Sequence, residues 1–202
     1  MRHERLATAA LLLLAAGLAG CASLAYTPVP VDSAAPADSG VPCAAGLQPG
    51  QRCTALVRAA QWQTPTGLQV GLGESEAEAY CVQVPPGQVW FDQDRRNTPP
   101  HGEQGSWLMQ LGSGLKRHHG IAWFSLVAAV QPAGAAKKPD HQDISRDPVV
   151  RPRQAGALVL YPNDAVGQPD DPTWFYRNNR GQIWVTLQRC DSACDCPPAQ
   201  PD

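Results

Sequence analysis

Three side chains in the second half of the chain, Asp164, Asn178 and Asn179, have the type and spacing to hold a hard cation. Residues 156–187 read GALVLYPNDAVGQPDDPTWFYRNNRGQIWVTL. An apolar run ends at Tyr161, a polar loop opens at Asp164, and Asn178-Asn179 lead through Gly181 into a second alternating run. One hairpin would thus carry a carboxylate and two amide oxygens, the donors that calcium takes, with backbone carbonyls completing the shell. The same residues also suit a plain hairpin in which Asn and Gly supply positive φ at the turn. Trp174, beside the acidic loop, offers an aromatic face for a sugar or, like Trp90, Trp107, Trp123 and Trp184, a ring for packing between sheets.

Other constellations carry less. Asp92-x-Asp94 with Glu103 imitates an EF-hand loop, but Asn97 stands at the sharp-turn position and no helices flank it. His118-His119, between Lys116-Arg117 and Gly120, reads as a solvated turn. No nucleophile elbow, phosphate-binding glycine loop or paired catalytic carboxylates stand in a recognisable frame, so the sequence points away from an enzyme.

These residues need a scaffold of strands. With 18 Gly and 20 Pro in 202 residues, a helical bundle is excluded and short strands joined by turns are favoured. Runs bounded by Pro, Gly or Asn predict strands over 54–57, 67–70, 79–84, 89–91, 107–111, 122–130, 156–161 and 182–187. The short stretch 74–79 has helical propensity without the length to stand alone. Residues 131–153 hold no usable period and read as an inserted surface loop. The expected fold is an all-β antiparallel sandwich with disulfides.

The N-terminus reads as an export signal over residues 1–20: basic Arg2 and Arg5, an apolar run from Leu6 to Leu18, then small residues. Leu18-Ala19-Gly20-Cys21 matches a bacterial lipobox, which makes Cys21 the lipidated residue and the mature N-terminus. Several acyl chains on one residue anchor a protein stably where a single chain would not. Ala22 rather than Asp after it favours the outer membrane. Residues 22–42, rich in Ala, Pro, Ser and Asp, read as a stalk; the β domain spans 43–190, and 191–202 form a Cys/Pro-rich tail. The net charge of −2 argues against nucleic acid, which needs a concentrated basic face. With Cys21 acylated, Cys43, Cys53, Cys81, Cys190, Cys194 and Cys196 can form up to three disulfides in 15 pairings. The favoured scheme joins Cys81 to Cys190 and uses the other four to staple the chain ends. A metal site built on Cys190, Cys194 and Cys196 is its rival.

The segment from Tyr161 through Asp164 to Asn178-Asn179 and Gly181 resembles the calcium-dependent galactose-binding lectins of the PA-IL (LecA-like) type. Trp62 with Thr66-Gly67-Leu68-Gln69-Val70 and the segment Gly105–Gly112 are similar to two further motifs of that family, so the likeness covers roughly 54–187. It implies a jelly-roll-like sandwich and a calcium ion held by Asp164, Asn178 and Asn179, with carbonyls from Phe91 and Phe175. It also implies a carbohydrate or glycoconjugate ligand, galactose-type in the family, whose hydroxyls meet the ion and the same three side chains, with His101, in a rough counterpart of the family's His-Pro-x-Gln segment, as a further contact. Two departures stand out. The 165–177 loop is longer than the family's, with Asp170 and Asp171 as added carboxylates, and Arg177 occupies a position where the family often has Gly or Asp. A sandwich that lost sugar binding and serves as an envelope protein-interaction module is the competing expectation.

Overall fold

The computed structural model describes residues 41–71, 78–92, 95–134, 137–190 and 196. The signal, Cys21, most of the stalk, residues 74–77 and Cys194 therefore lie outside the described residues.

Eleven strands are described, all paired antiparallel: β1 (Arg52–Arg58), β2 (Thr64–Val70), β3 (Ala79–Gln83), β4 (Trp90–Asp92), β5 (Arg95–Thr98), β6 (Leu126–Gln131), β7 (Asp140–Asp143), β8 (Val149–Val150), β9 (Gly156–Pro162), β10 (Asn179–Arg180) and β11 (Gln182–Cys190). One sheet has the order β1-β11-β3-β8 and another β2-β9-β6-β7, and β10-β4-β5 forms a third. The inner faces of the two four-stranded sheets share one core. Val57, Ile183, Val185 and Leu187 come from the first, and Leu68, Val70, Leu158, Leu160, Ala128 and Val130 from the second. Burying each such Leu, Ile or Val contributes about 1.5–3 kcal/mol, and this dry interface holds the sheets together. The chain is an all-β antiparallel sandwich.

Alternation explains which strands the sequence announces. β2 alternates buried and exposed along its whole length, and Ile183, Val185 and Leu187 of β11 point inward between less buried neighbours. β6 and β9 are buried on both faces, because a second cluster of Ile121, Val127, Ala129, Val159 and Tyr161 covers the outer side of their sheet.

Several expectations are corrected. Trp107–Leu111 is not a strand but a short helix, α1, followed by a 3-10 turn over Gly112–Leu115. Ser106 caps it, accepting a hydrogen bond from Met109 N while its own N–H meets the Met109 sulfur, and this reciprocal cap outweighs the β-like composition. Trp107 is 70% exposed and so packs into no core. Strand β6 starts only at Leu126, since Phe124 sits at φ 59 and gives its N–H to the Asn163 carbonyl. Residues 131–153 are not a surface loop: β7 pairs with β6, and β8, with Val149 and Val150 buried, pairs with β3. Thr98, the last residue of β5, is buried opposite Trp90.

The favoured cysteine pairing is also overturned. Among the described residues the disulfides are Cys43–Cys53 and Cys81–Cys196. Cys81 faces Gln188 in the register, which leaves Cys190 two residues along, with its sulfur 3.7 Å from that of Cys81. The first disulfide closes a local loop at the N-terminal edge, so the four remaining cysteines do not staple the two ends together. The three sulfurs of Cys81 on β3, Cys190 on β11 and Cys196 lie within 4.8 Å of one another.

Candidate functional site

Asp164 follows directly on the buried end of β9, and Asn179 opens β10. The 165–177 loop returns the chain between them and closes on itself. Gly167 N donates to Pro172 O, Asp171 N to Gln168 O, and Arg177 reaches Asp171 at 2.8 Å. Thr173 Oγ1 donates to the other Asp171 oxygen at 3.0 Å. Asp171 is thus occupied in shaping the loop, and Asp170 is exposed at its tip. At Gly167 a Cβ would stand 2.2 Å from the Asp171 carbonyl, so only glycine fits where the loop crosses itself.

A second close approach brings in β4. Gly181, at φ 90, lies where a Cβ would meet the Phe91 ring at 3.2 Å and the Trp90 backbone at 3.3 Å. That contact lets β4 run against β10, with Asn179 opposite Asp92 and Arg180 opposite Phe91. Asn178 Nδ2 donates to Asp92 Oδ1 at 3.1 Å.

The corner that results is buried and electrostatically tense. Asp164 is 5% exposed; its Oδ1 accepts from Ala165 N at 2.6 Å and its Oδ2 from Asn179 Nδ2 at 2.8 Å. Burial and then the Asp92 charge push its carboxyl up to about 7, against the two hydrogen bonds, which pull it down. Asn179 is fully buried; its Nδ2 also reaches Ala59 O at 3.3 Å, while its Oδ1 has no hydrogen-bond partner. A second carboxylate near a buried one and an amide oxygen with nothing to accept are both costly in isolation. Both costs fall at the corner where β9 ends and β10 begins.

The three residues proposed as side-chain ligands, Asp164, Asn178 and Asn179, are therefore neighbours in space. Phe91 stands on β4, next to the Asp92–Asn179 pair. Phe175 lies in the 3-10 turn Trp174–Asn178 that delivers Asn178 to the corner. Trp174 is 51% exposed, edge-on to Phe175 at 4.7 Å between ring centroids, and presents an open face rather than a core contact. His101 stands exposed in the turn after β5. Sequence reasoning missed Asp92, which enters only through the β4–β10 register, a long-range pairing that spacing within one segment does not reveal.

The reading of His118-His119 as a solvated turn fails for His118. Its ring stacks on His141 at 4.0 Å, and its Nε2 lies 3.0 Å from the Tyr161 hydroxyl. Burial, followed by the charges of His141, Arg117 and His119, pushes its pKa down to about 4. Next to it Arg117 is held between two rings, 3.7 Å from the centroids of both Trp62 and Tyr161. Arg117 Nη1 donates to Trp62 O, and its backbone N–H to Asp164 O. The 116–122 segment thereby backs the carboxylate corner from the main-chain side.

The chain matches no protein-family model, no curated protein and no solved structure.

Proposed function

We propose that this chain is a lipoprotein of the bacterial envelope, held through Cys21 in the outer membrane, whose β domain binds carbohydrate through a calcium site. Asp164, Asn178 and Asn179 are its side-chain ligands, Phe91 and Phe175 its carbonyl ligands, and Asp92 a further carboxylate beside them. One observation carries the reading: a carboxylate raised first by its burial and then by a neighbouring carboxylate shares its corner with a fully buried amide oxygen that has no partner. Calcium would supply the positive charge this corner lacks and open coordination positions for vicinal hydroxyls. The residues themselves orient that chemistry. Asp164 is fixed by two hydrogen bonds, Asn179 by Ala59 and Asp164, and Trp174 offers an exposed ring for the apolar face of a sugar.

The test is thermal unfolding of the mature chain with calcium and with chelator, followed by a glycan array under both conditions. Calcium at a hundred times its Kd should add about 2.7 kcal/mol and raise the melting temperature by several degrees. Asp164→Ala should abolish that shift and the array signal together. A melting temperature indifferent to calcium in the parent chain overturns the site. A calcium response with a silent array would instead favour the envelope protein-interaction module, with calcium in a structural role.

A further inference from the structure

A disulfide that lies against a third sulfur can exchange partners, because a thiolate released from one bond attacks the next. Such a third sulfur stands on the first sheet. Cys81 lies on β3, and Cys190 ends β11. The register sets Cys81 opposite Gln188, so Cys190, two residues on, shares its face of the sheet as a diagonal neighbour. That face is the outer one, since Tyr80 and Val82 on either side of Cys81 belong to the core, as does Leu187 of β11. Cys81 is bonded to Cys196, and its sulfur is 3.7 Å from that of Cys190. Cys190 is disulfide-bonded as well, to a cysteine outside the described residues. Two disulfides therefore lie in contact. Among the described residues no third cysteine joins the Cys43–Cys53 pair in this way.

Burial gives the three sulfurs an order. Cys81 is 4% exposed, whereas Cys190 and Cys196 are half-buried. An incoming thiolate thus meets Cys196 and makes Cys81 the leaving sulfur. A thiolate is disfavoured in that enclosed position, and the Cys190 sulfur beside it is at contact distance, so attack within the chain outruns a second encounter with reagent. Reduction that begins at the other disulfide converges on the same product. A Cys190 thiolate would attack Cys81 and expel Cys196.

We propose that Cys81, Cys190 and Cys196 form a thiol–disulfide exchange site that takes two electrons from a dithiol and moves the bond of Cys81 from Cys196 to Cys190. The dithiol attacks Cys196, and its second thiol resolves the mixed disulfide, giving the Cys196 thiol and an oxidised dithiol. The Cys81 thiolate then attacks Cys190 and expels its former partner, which takes up a proton. Two S–S bonds break, at Cys81–Cys196 and at Cys190. Two form, Cys81–Cys190 and that of the spent dithiol, whose two protons end on the two new thiols. The core side chains lie on the other face of β3 and β11, and the new bond still joins these strands, so the sandwich persists through the exchange. The site is independent of calcium and of carbohydrate.

The experiment uses residues 21–202 with Cys21→Ser, which leaves six cysteines. The oxidised chain is treated with dithiothreitol from zero to two equivalents, quenched in acid and alkylated, and its linkages are mapped by mass spectrometry of proteolytic fragments. Before reduction the map should show Cys43–Cys53 and Cys81–Cys196. After one equivalent, Cys81–Cys190 should be the main new linkage, with Cys196 alkylated and Cys43–Cys53 intact. Raising dithiothreitol tenfold should speed the loss of Cys81–Cys196 about tenfold and leave the rate of the transfer to Cys190 unchanged, since that step is intramolecular. Cys190→Ser with Cys194→Ser should abolish the new linkage and leave Cys81 and Cys196 alkylated together. Alkylation of both Cys81 and Cys196 in the parent chain without a Cys81–Cys190 linkage overturns the proposal. So does a Cys43–Cys53 bond that opens first, or a starting map that already holds Cys81–Cys190. Should the double serine variant fail to fold, the parent map and its dependence on dithiothreitol decide.

Discussion

Asn163 and Asp164 are adjacent in the chain, nearly identical in shape and both buried, yet their surroundings are opposite in kind. Asn163 uses its whole amide. Its Oδ1 accepts from His118 N, and its Nδ2 reaches the carbonyls of His118, Ile121 and Ala122 at 3.0–3.1 Å. Asp164 has its two hydrogen bonds but faces the Asp92 charge and an amide neighbour whose oxygen accepts nothing. A completed network is a structural device that pins the 118–122 turn to the end of β9. An incomplete one with excess negative charge is a stored cost, and stored costs of this kind gather at functional sites.

The contrast can be broken at either residue. Asn163→Ala removes one acceptor and the donor to three carbonyls in a buried setting, so it should cost about 3–4 kcal/mol in denaturant unfolding, with or without calcium. Asp164→Asn should do the reverse in the absence of calcium. A carboxyl raised to about 7 in the fold and near 3.9 in the open chain contributes stability below about pH 4 that is lost as pH rises through 7. At pH 8 its ionised form is a penalty, which a neutral amide lifts while its oxygen still accepts from Asn179 Nδ2. The variant should be more stable than the parent by about 2 kcal/mol at pH 8 under chelator, and should gain nothing from calcium. If it is less stable instead, the corner holds no such electrostatic tension. The smallest effect is expected on the Asn163 side. His118, held down to about 4 against about 6.5 when unfolded, binds fewer protons in the fold. Its stabilising effect is therefore present above about pH 6.5 and is lost as pH falls towards 4. Discounted for partial exposure this is about 1 kcal/mol, a melting temperature lower by roughly 2–4 °C, and His118→Gln should flatten it.

What the sequence made legible follows from range. β1, β2, β3, β9 and β11 were readable because one or two sheet faces imprint a local period or an apolar run. β7 was not, because Asp140–Asp143, paired only with β6, is mostly half-exposed and its letters carry no period. β8 was too short to show one. Trp107–Leu111 misled because five residues with four large apolar side chains look like a core strand. Only the Ser106–Met109 cap and the outward turn of Trp107 reveal otherwise. At the corner, Asp164, Asn178 and Asn179 were legible as polar side chains that one loop brings together. Asp92 and the pinning of the 117–118 turn were not, since both depend on register between distant segments.

The Cys43–Cys53 disulfide has a mechanical consequence. Any pull on an N-terminal tether enters the domain at Val41, where the chain is held by Thr54 N donating to Val41 O and Cys43 N to Thr54 O. Those two bonds could be peeled one at a time. The covalent link immediately behind them stops the peeling and passes the load into β1, whose residues from Arg52 to Arg58 must shear together along β11. A domain tethered to a moving envelope would thus yield two hydrogen bonds at its edge and then hold.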